Sequence, residues 1–363
     1  MVGQWTPRHE AVAQFVAALP ALPDLPLGEP PLHPRTARAL ALEFGRGWSR
    51  RNLAKRGATL AGQAQTVAVI APGNLFVGAW QAALAPWMAG HTVRVRGSRR
   101  DGGAVGWMLQ QLRPFVGAEP LPDQVAIDHG DDHAWRQFLN ADVAAVWGSD
   151  ATVATVHALA ARLGCAPQFD DHGATRAVAV AQIGGATAHQ LDRIMRGLAR
   201  DALHGDGRGC LALGAVVWLG ANASDLNNLH DRLHQALRKT ALALPAGNTE
   251  VPFIQNLEMQ GESLQLAASL APDVHCARRR DGWLATAPLA VLGGLWPGPA
   301  RRCVLATAAA DVVEVEAALA PFVGSTSGLA VAADAATRSR LARTLRARWV
   351  CRPGQLQRAP CGV

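Results

Sequence analysis

TVAVIAPGNLFVGAWQAALAPWMAGHTVRVR, residues 66–96, decides the architecture. Thr66 to Ile70 is a short apolar run, the pattern of a strand buried on both faces. Pro72-Gly73 ends it. A helix is expected from Val77 to Met88, closed by Gly90. Thr92 to Arg96 reads as the next strand. Strand, helix and strand at this spacing form a unit whose crossover helix joins parallel strands.

The same alternation continues outward. A helix is expected from Ala104 to Leu112, and strands from Gln124 to Asp128 and from Val143 to Trp147. Gly148-Ser149-Asp150 then opens a helix whose apolar face carries Val153, Val156, Ala160 and Leu163, with Gly164 as its stop. Ser149 suits the N-cap. A strand, a glycine turn and a capped helix start together make a phosphate-binding geometry, because free N–H groups and the helix dipole point at the turn. Ala177 to Ala181 reads as a strand and Ala188 to Leu203 as an amphipathic helix. His204-Gly205-Asp206-Gly207-Arg208-Gly209-Cys210 breaks the pattern with three glycines at alternate positions, which demands unusual backbone angles or close packing. Leu213 to Leu219 resumes as a strand, and a second α/β region runs to about residue 325. Thr337 to Val350 reads as an arginine-rich helix and strand.

Composition limits the function classes. The chain has 363 residues, 49% hydrophobic and 17% charged, enough for two folded domains and too apolar for disorder. No apolar run reaches the roughly 20 residues that span a bilayer. The N-terminal stretch lacks a basic start followed by an apolar block, so no signal peptide is read and a cytoplasmic protein is expected. The formal charge is +7 and mostly arginine. No basic run interleaves with stacking aromatics, so nucleic acid is not an expected partner. Six cysteines are scattered without a C-x-x-C pair, which points to reduced thiols.

Cys210 stands out among them. It follows the glycine loop directly and precedes a strand, where a thiol can be exposed to a cleft and have its pKa lowered by local N–H groups. A small buried core cysteine is the bland alternative.

Several of these segments resemble one family. VAVIAPGNLFVGAWQAALAPWMAGHTVRVRGS is similar to the first cofactor-binding unit of the aldehyde dehydrogenase superfamily, and most closely to its acyl-CoA reductase branch, the LuxC-type fatty acid reductases. That branch has a PGN turn, a strand with basic residues and a GSD turn, matched here by Pro72-Gly73-Asn74, by Arg94 and Arg96, and by Gly148-Ser149-Asp150. The glycine loop with CLALGAVVWLG resembles the nucleophile segment. Gly354, Gln357 and Pro360 resemble a closing G-x-x-Q-x-P signature. The resemblance covers roughly residues 60–360, in order.

It implies an aldehyde dehydrogenase-like α/β fold, a Rossmann-type cofactor domain plus an α/β catalytic domain. The expected layout is a helical lead-in over 1–60, an NAD(P)-binding domain over 61–204 and a catalytic domain over 205–325. A C-terminal segment, 326–363, would return to the cofactor domain or contact another copy. The implied reaction is reduction of an acyl thioester, carried by CoA or an acyl carrier protein, to an aldehyde. Cys210 would attack the thioester carbonyl and Asn74 would donate its amide to the oxyanion. Arg96, Ser98, Gly148 and Ser149 would contact the cofactor. Arg96, where the family usually has lysine, could pair with a 2′-phosphate, which favours NADPH over NADH. His172 is the expected base, with Asp171 competing. A homodimer is plausible on the same ground.

The chain departs from the aldehyde-oxidising members, which carry a Glu-x-Phe-Gly-Pro element. Trp296-Pro297-Gly298-Pro299 is a faint echo of it. Two alternatives come from outside this scheme. One is a non-catalytic member that binds acyl carriers or partner proteins. The other is a metal enzyme using His230 and His234, spaced i, i+4 on an expected helix but without the glutamate of H-E-x-x-H or an evident third ligand. His129 and His133 flank two aspartates in an expected loop.

Overall fold

A computed structural model describes residues 5–22, 24–29, 31–56, 64–173, 175–247, 274–279, 282–289 and 302–359, with short pieces between 258 and 270. The chain divides into two compact units. The first takes Met1–Pro30 and Leu40–Ala174, and the second takes Pro31–Ala39 and Thr175–Ala359.

The first unit is built on a five-stranded parallel sheet in the order β3-β2-β1-β4-β5. Its strands are β1 (Thr66–Ile70), β2 (Thr92–Arg96), β3 (Asp123–Gln124), β4 (Val143–Trp147) and β5 (Gln168–His172). Helices α1 (Pro7–Ala18), α2 (Pro34–Gly47) and α3 (Arg50–Arg56) come from the lead-in, and the part of α2 from Leu40 onward belongs to this unit's sequence range. The crossovers contain α4 (Phe76–Met88), α5 (Ala104–Leu112), α6 (Asp132–Leu139) and α7 (Asp150–Leu163). Trp80 on α4 is fully buried and organises one face. Phe15, Phe44 and Phe76 meet it edge-on, Trp107 stacks on it at 5.3 Å, and its indole N–H donates to the Ala104 carbonyl at 2.9 Å. Such aromatic pairs add roughly 0.5–1.5 kcal/mol each beyond area burial, so α1, α4 and α5 are pinned to one another.

The second unit holds a seven-stranded sheet in the order β12-β11-β6-β7-β10-β9-β8, parallel except where β8 meets β9. The strands are β6 (Arg176–Gln182), β7 (Leu213–Leu219), β8 (His275–Arg279), β9 (Gly282–Thr286), β10 (Val304–Ala309), β11 (Thr326–Ala332) and β12 (Trp349–Cys351). Ala177, Ala179 and Ala181 of β6 face a core that includes residues of α8 (Ala188–Leu203) and α9 (Ala223–Ala243). Val178 and Val180 face the other core, with residues of α10 (Val312–Leu319) and α11 (Ala335–Leu345). With both faces covered, β7 reads as an unbroken apolar run and is buried at all seven positions.

Most elements fall where the sequence pattern places them. Four findings differ. β6 and α8, expected with the first domain, belong to the second unit, so the division falls near residue 174 and not at 204. The C-terminal stretch contributes a strand, β12, that pairs with β11 in the second unit's sheet. The expected strand Gln124–Asp128 shrinks to β3, because the chain leaves the sheet after Val125 donates to the Val95 carbonyl. His133 lies on helix α6 and not in a loop.

Candidate active site

Five of the expected site residues gather at one edge of the first sheet. β1 runs into Pro72-Gly73-Asn74, β2 ends at Arg96 and runs into Ser98, and β4 runs into Gly148-Ser149. These are the carboxyl ends of parallel neighbours. β1 lies between β2 on one side and β4 on the other, so the strand order reverses there, which is where open α/β sheets form their ligand crevice. Packing at this edge is tight. A Cβ on Gly73 would lie 2.2 Å from Ser98 Oγ, and one on Gly148 would lie 2.8 Å from Thr152 Cβ. Ser98 caps a short 3-10 turn through Arg100 N–H, and Ser149 caps α7 through Thr152 N–H at 3.2 Å. Asn74 is exposed.

Beside this edge is a cavity of about 600 Å³ lined mainly by apolar atoms of Ile70, Trp135, Val156 and Leu159, with Arg96 and His129 at its polar side. Arg96 is held by its guanidinium over the Trp135 ring at 4.8 Å. Burial, aided by nearby Arg99, lowers the pKa of Arg96 from its ordinary value. Arg162 also lines the cavity, its guanidinium paired with Asp132.

His172 ends β5 in the same unit. Its ring stacks on Trp147 at 3.9 Å and its Nε2 lies 3.0 Å from Asp170 Oδ2. Alternation along the strand sends Asp171 to the other face, where it meets His157 Nε2 at 2.9 Å. The two candidate bases therefore differ in commitment: Asp171 is engaged by a histidine of α7, whereas His172 is braced by an indole and a carboxylate. β5 itself was not evident in the sequence, because DDH reads as a turn.

Cys210 lies in the second unit, in the loop between α8 and β7. Gly205, Asp206 and Gly207 adopt φ values of 58°, 59° and 65° in succession. Asp206, a rare non-glycine in this region, is fixed by three partners: Arg302 at 2.7 Å, Arg208 at 3.3 Å and the Gly247 N–H at 3.0 Å. The buried carboxylate sits between two buried guanidinium groups, and losing one partner of such a set typically costs about 3–5 kcal/mol. This anchors the turn that delivers the cysteine.

Further bonds clamp the thiol's own backbone. Ser327 Oγ donates to the Cys210 carbonyl at 2.7 Å and Gln357 Nε2 donates to the Leu211 carbonyl at 2.9 Å. Asp201, buried near the end of α8, accepts from the N–H groups of Gly354 at 2.6 Å and Leu356 at 3.0 Å. Gln357 of the closing stretch thus holds the segment that follows Cys210 in place. Cys210 keeps partial solvent access as a residue while its sulfur is enclosed, and burial pushes the thiol pKa up. A hydrogen bond with Thr175, the N–H groups of Cys210 and Leu211, and the charge of Arg348 act in the opposite direction.

The histidine pair offers no comparable chemistry. His230 is buried on α9, with Nδ1 2.8 Å from Thr286 Oγ1, and its ring is 6.4 Å from that of His234. Among the described residues no three His, Cys, Asp or Glu side chains are grouped to hold a metal ion. The Trp296–Pro299 echo lies outside the described residues.

A crevice at the carboxyl edge of one parallel sheet and a clamped cysteine ahead of a strand in a second define an aldehyde dehydrogenase-like fold. Solved structures agree. The chain is similar to an NAD-dependent aldehyde dehydrogenase of Sinorhizobium meliloti (TM-score 0.63, 15% identity, 95% of this chain and 73% of that one). It is also similar to a succinic semialdehyde dehydrogenase of Streptococcus pyogenes solved with NADP+ (0.63, 12%, 95% and 81%). A benzaldehyde dehydrogenase of Corynebacterium glutamicum gives 0.62 at 12% identity, over 97% and 82%. The model of the acyl-CoA reductase (LuxC) family matches residues 46–362, and the chain belongs to that family. It is accordingly an oxidoreductase acting on acyl or aldehyde substrates. No curated protein matches the sequence.

Proposed function

We propose that the protein reduces an acyl thioester, presented by CoA or an acyl carrier protein, to an aldehyde through an acyl-enzyme on Cys210. The observation that supports this reading most is the clamped loop: two hydrogen bonds fix the carbonyls of Cys210 and Leu211, and three successive left-handed residues deliver the thiol. That investment in backbone strain, offset by a buried ion cluster, suits a reacting sulfur better than a core filler.

In this scheme the Cys210 proton passes to a base, for which His172 is the candidate. The sulfur attacks the thioester carbonyl carbon, the carbon–carrier sulfur bond breaks, and the carrier leaves as its thiol once protonated. Asn74, on the exposed turn after β1, would donate its amide to the oxygen as charge develops, worth a few kcal/mol in a dry site. The 600 Å³ cavity, with Arg96, and the turns at Ser98 and Gly148-Ser149 would hold a nicotinamide dinucleotide. When bound, that cofactor supplies the hydride that turns the acyl group into the aldehyde. The fixed guanidinium of Arg96 favours NADPH over NADH.

The test is Cys210→Ala assayed for reduced-cofactor oxidation with a panel of acyl thioesters. The expected result is loss of turnover with the fold retained by circular dichroism. Full activity in the variant would end the proposal.

A further inference from the structure

The second unit contains a cavity that this chemistry does not use. It has a volume of about 570 Å³ and is lined by Arg193, Arg338 and Arg352, with the Gly184-Gly185-Ala186 turn and the end of β11. It opens where β12 stops. β12 pairs only with Gly328, Leu329 and Ala330, so Val331 to Ala333 line the cavity beyond that short partner. Its far wall is α8, which supplies Arg193.

Positive charge predominates in this cavity, with three arginines against one carboxylate. Asp334, the acidic side chain in the lining, is spent on α11: it accepts from Thr337 N–H and from Thr337 Oγ1, each at 2.9 Å. Those bonds hold its carboxyl below the usual range. Arg338 Nε is buried without a hydrogen-bond partner among the described residues. Arg193 and Arg352 are exposed on the rim. Three guanidinium groups around one cavity, one of them with an orphaned buried nitrogen, match an anionic acceptor with several oxygens. The capping box of α8 uses the Thr187 and Gln190 N–H groups, and the arginines supply the charge for recognition.

We infer that this cavity is a binding site for a phosphate-bearing ligand, a phosphomonoester or diphosphate. Its volume suits a nucleotide-sized molecule. It is also linked to the nucleophile by the chain: Arg352, Pro353 and Gln355 line the cavity, and Gln357, two residues on, holds the Leu211 carbonyl beside Cys210. Occupancy would therefore stiffen the clamp on the reactive loop. Two sources offer this chemistry: the phosphates of a thioester carrier, which rests on the reading above, or a free phosphate compound.

Titration calorimetry of the full chain with inorganic pyrophosphate at low salt tests the site. Saturable binding is expected that weakens at least tenfold in Arg338→Gln/Arg352→Gln and survives Arg96→Gln. Arg352→Gln alone, at an exposed position, guards against misfolding and is expected to weaken binding severalfold. Absence of saturable binding, or binding lost with Arg96→Gln but kept in the double variant, would overturn the inference. CoA titrated against bound pyrophosphate in Cys210→Ala protein separates the sources: competition assigns the carrier, and its absence assigns a free phosphate compound, with the site supported in both cases. Since pyrophosphate binding needs no thiol, failure here leaves the thioester chemistry standing.

Discussion

A methyl group on Gly73 would lie 2.2 Å from Ser98 Oγ and 2.7 Å from its Cβ. The turn after β1 and the turn after β2 thus close on each other only because one residue has no side chain. Gly73→Ala should destabilise the protein by about 1–3 kcal/mol, as overpacking does, measured by denaturant unfolding; an unchanged midpoint would mean that the Asn74 turn is free to move. At this scale the sequence showed which residue types matter but not who holds them. Cys210 and its glycine loop were legible from spacing. Asp206 as a left-handed residue was not, because nothing local marks it; its partners Arg302 and Gly247 lie far along the chain. Gln357 was legible as part of a signature, whereas its contact with Leu211 across 146 residues belongs to the folded state alone.

Among the elements, β1, β4 and β7 follow directly from apolar runs bounded by turn residues, β2 from its place after the helix that Gly90 closes, and α8 from its amphipathic pattern. β5 was missed for a physical reason. Gln168, Asp170 and His172 are polar edge residues with a single neighbouring strand, so burial imposes no apolar pattern on them. α9 places His230 against Thr286, and burial pushes its imidazole from the ordinary 6.5 to about 4, with smaller opposing and supporting effects from Asp231 and from His275 and His234. The folded protein keeps this ring neutral where the unfolded chain takes up a proton. Its contribution is therefore complete above pH 6.5 and is lost as pH falls towards 4. Urea unfolding across that window should show a fall of roughly 1–3 kcal/mol that is absent in His230→Gln. An identical fall in the variant would assign the acid sensitivity elsewhere.

For the molecule as a whole, the two-sheet plan was legible because alternating strands and helices fit few architectures. The division between units was not, since β6 follows the first sheet's strands in sequence yet pairs with β11 and β7. No helix among the described residues is long and apolar enough to cross a membrane. The arginines of the C-terminal stretch divide into separate tasks. Arg340 pairs with Glu316 at 2.6 Å, Arg338 and Arg352 line the second cavity, and Arg348 acts on the Cys210 thiol.

The account stands on covalent chemistry at one sulfur, and intact-protein mass spectrometry addresses it directly. Mixed with an acyl-CoA of known chain length and no reduced cofactor, the protein should gain the mass of one acyl group, mapped by peptide digestion to Cys210 and discharged when NADPH is added. A protein that turns over the same thioester while Cys210 stays unmodified at every time point would contradict it.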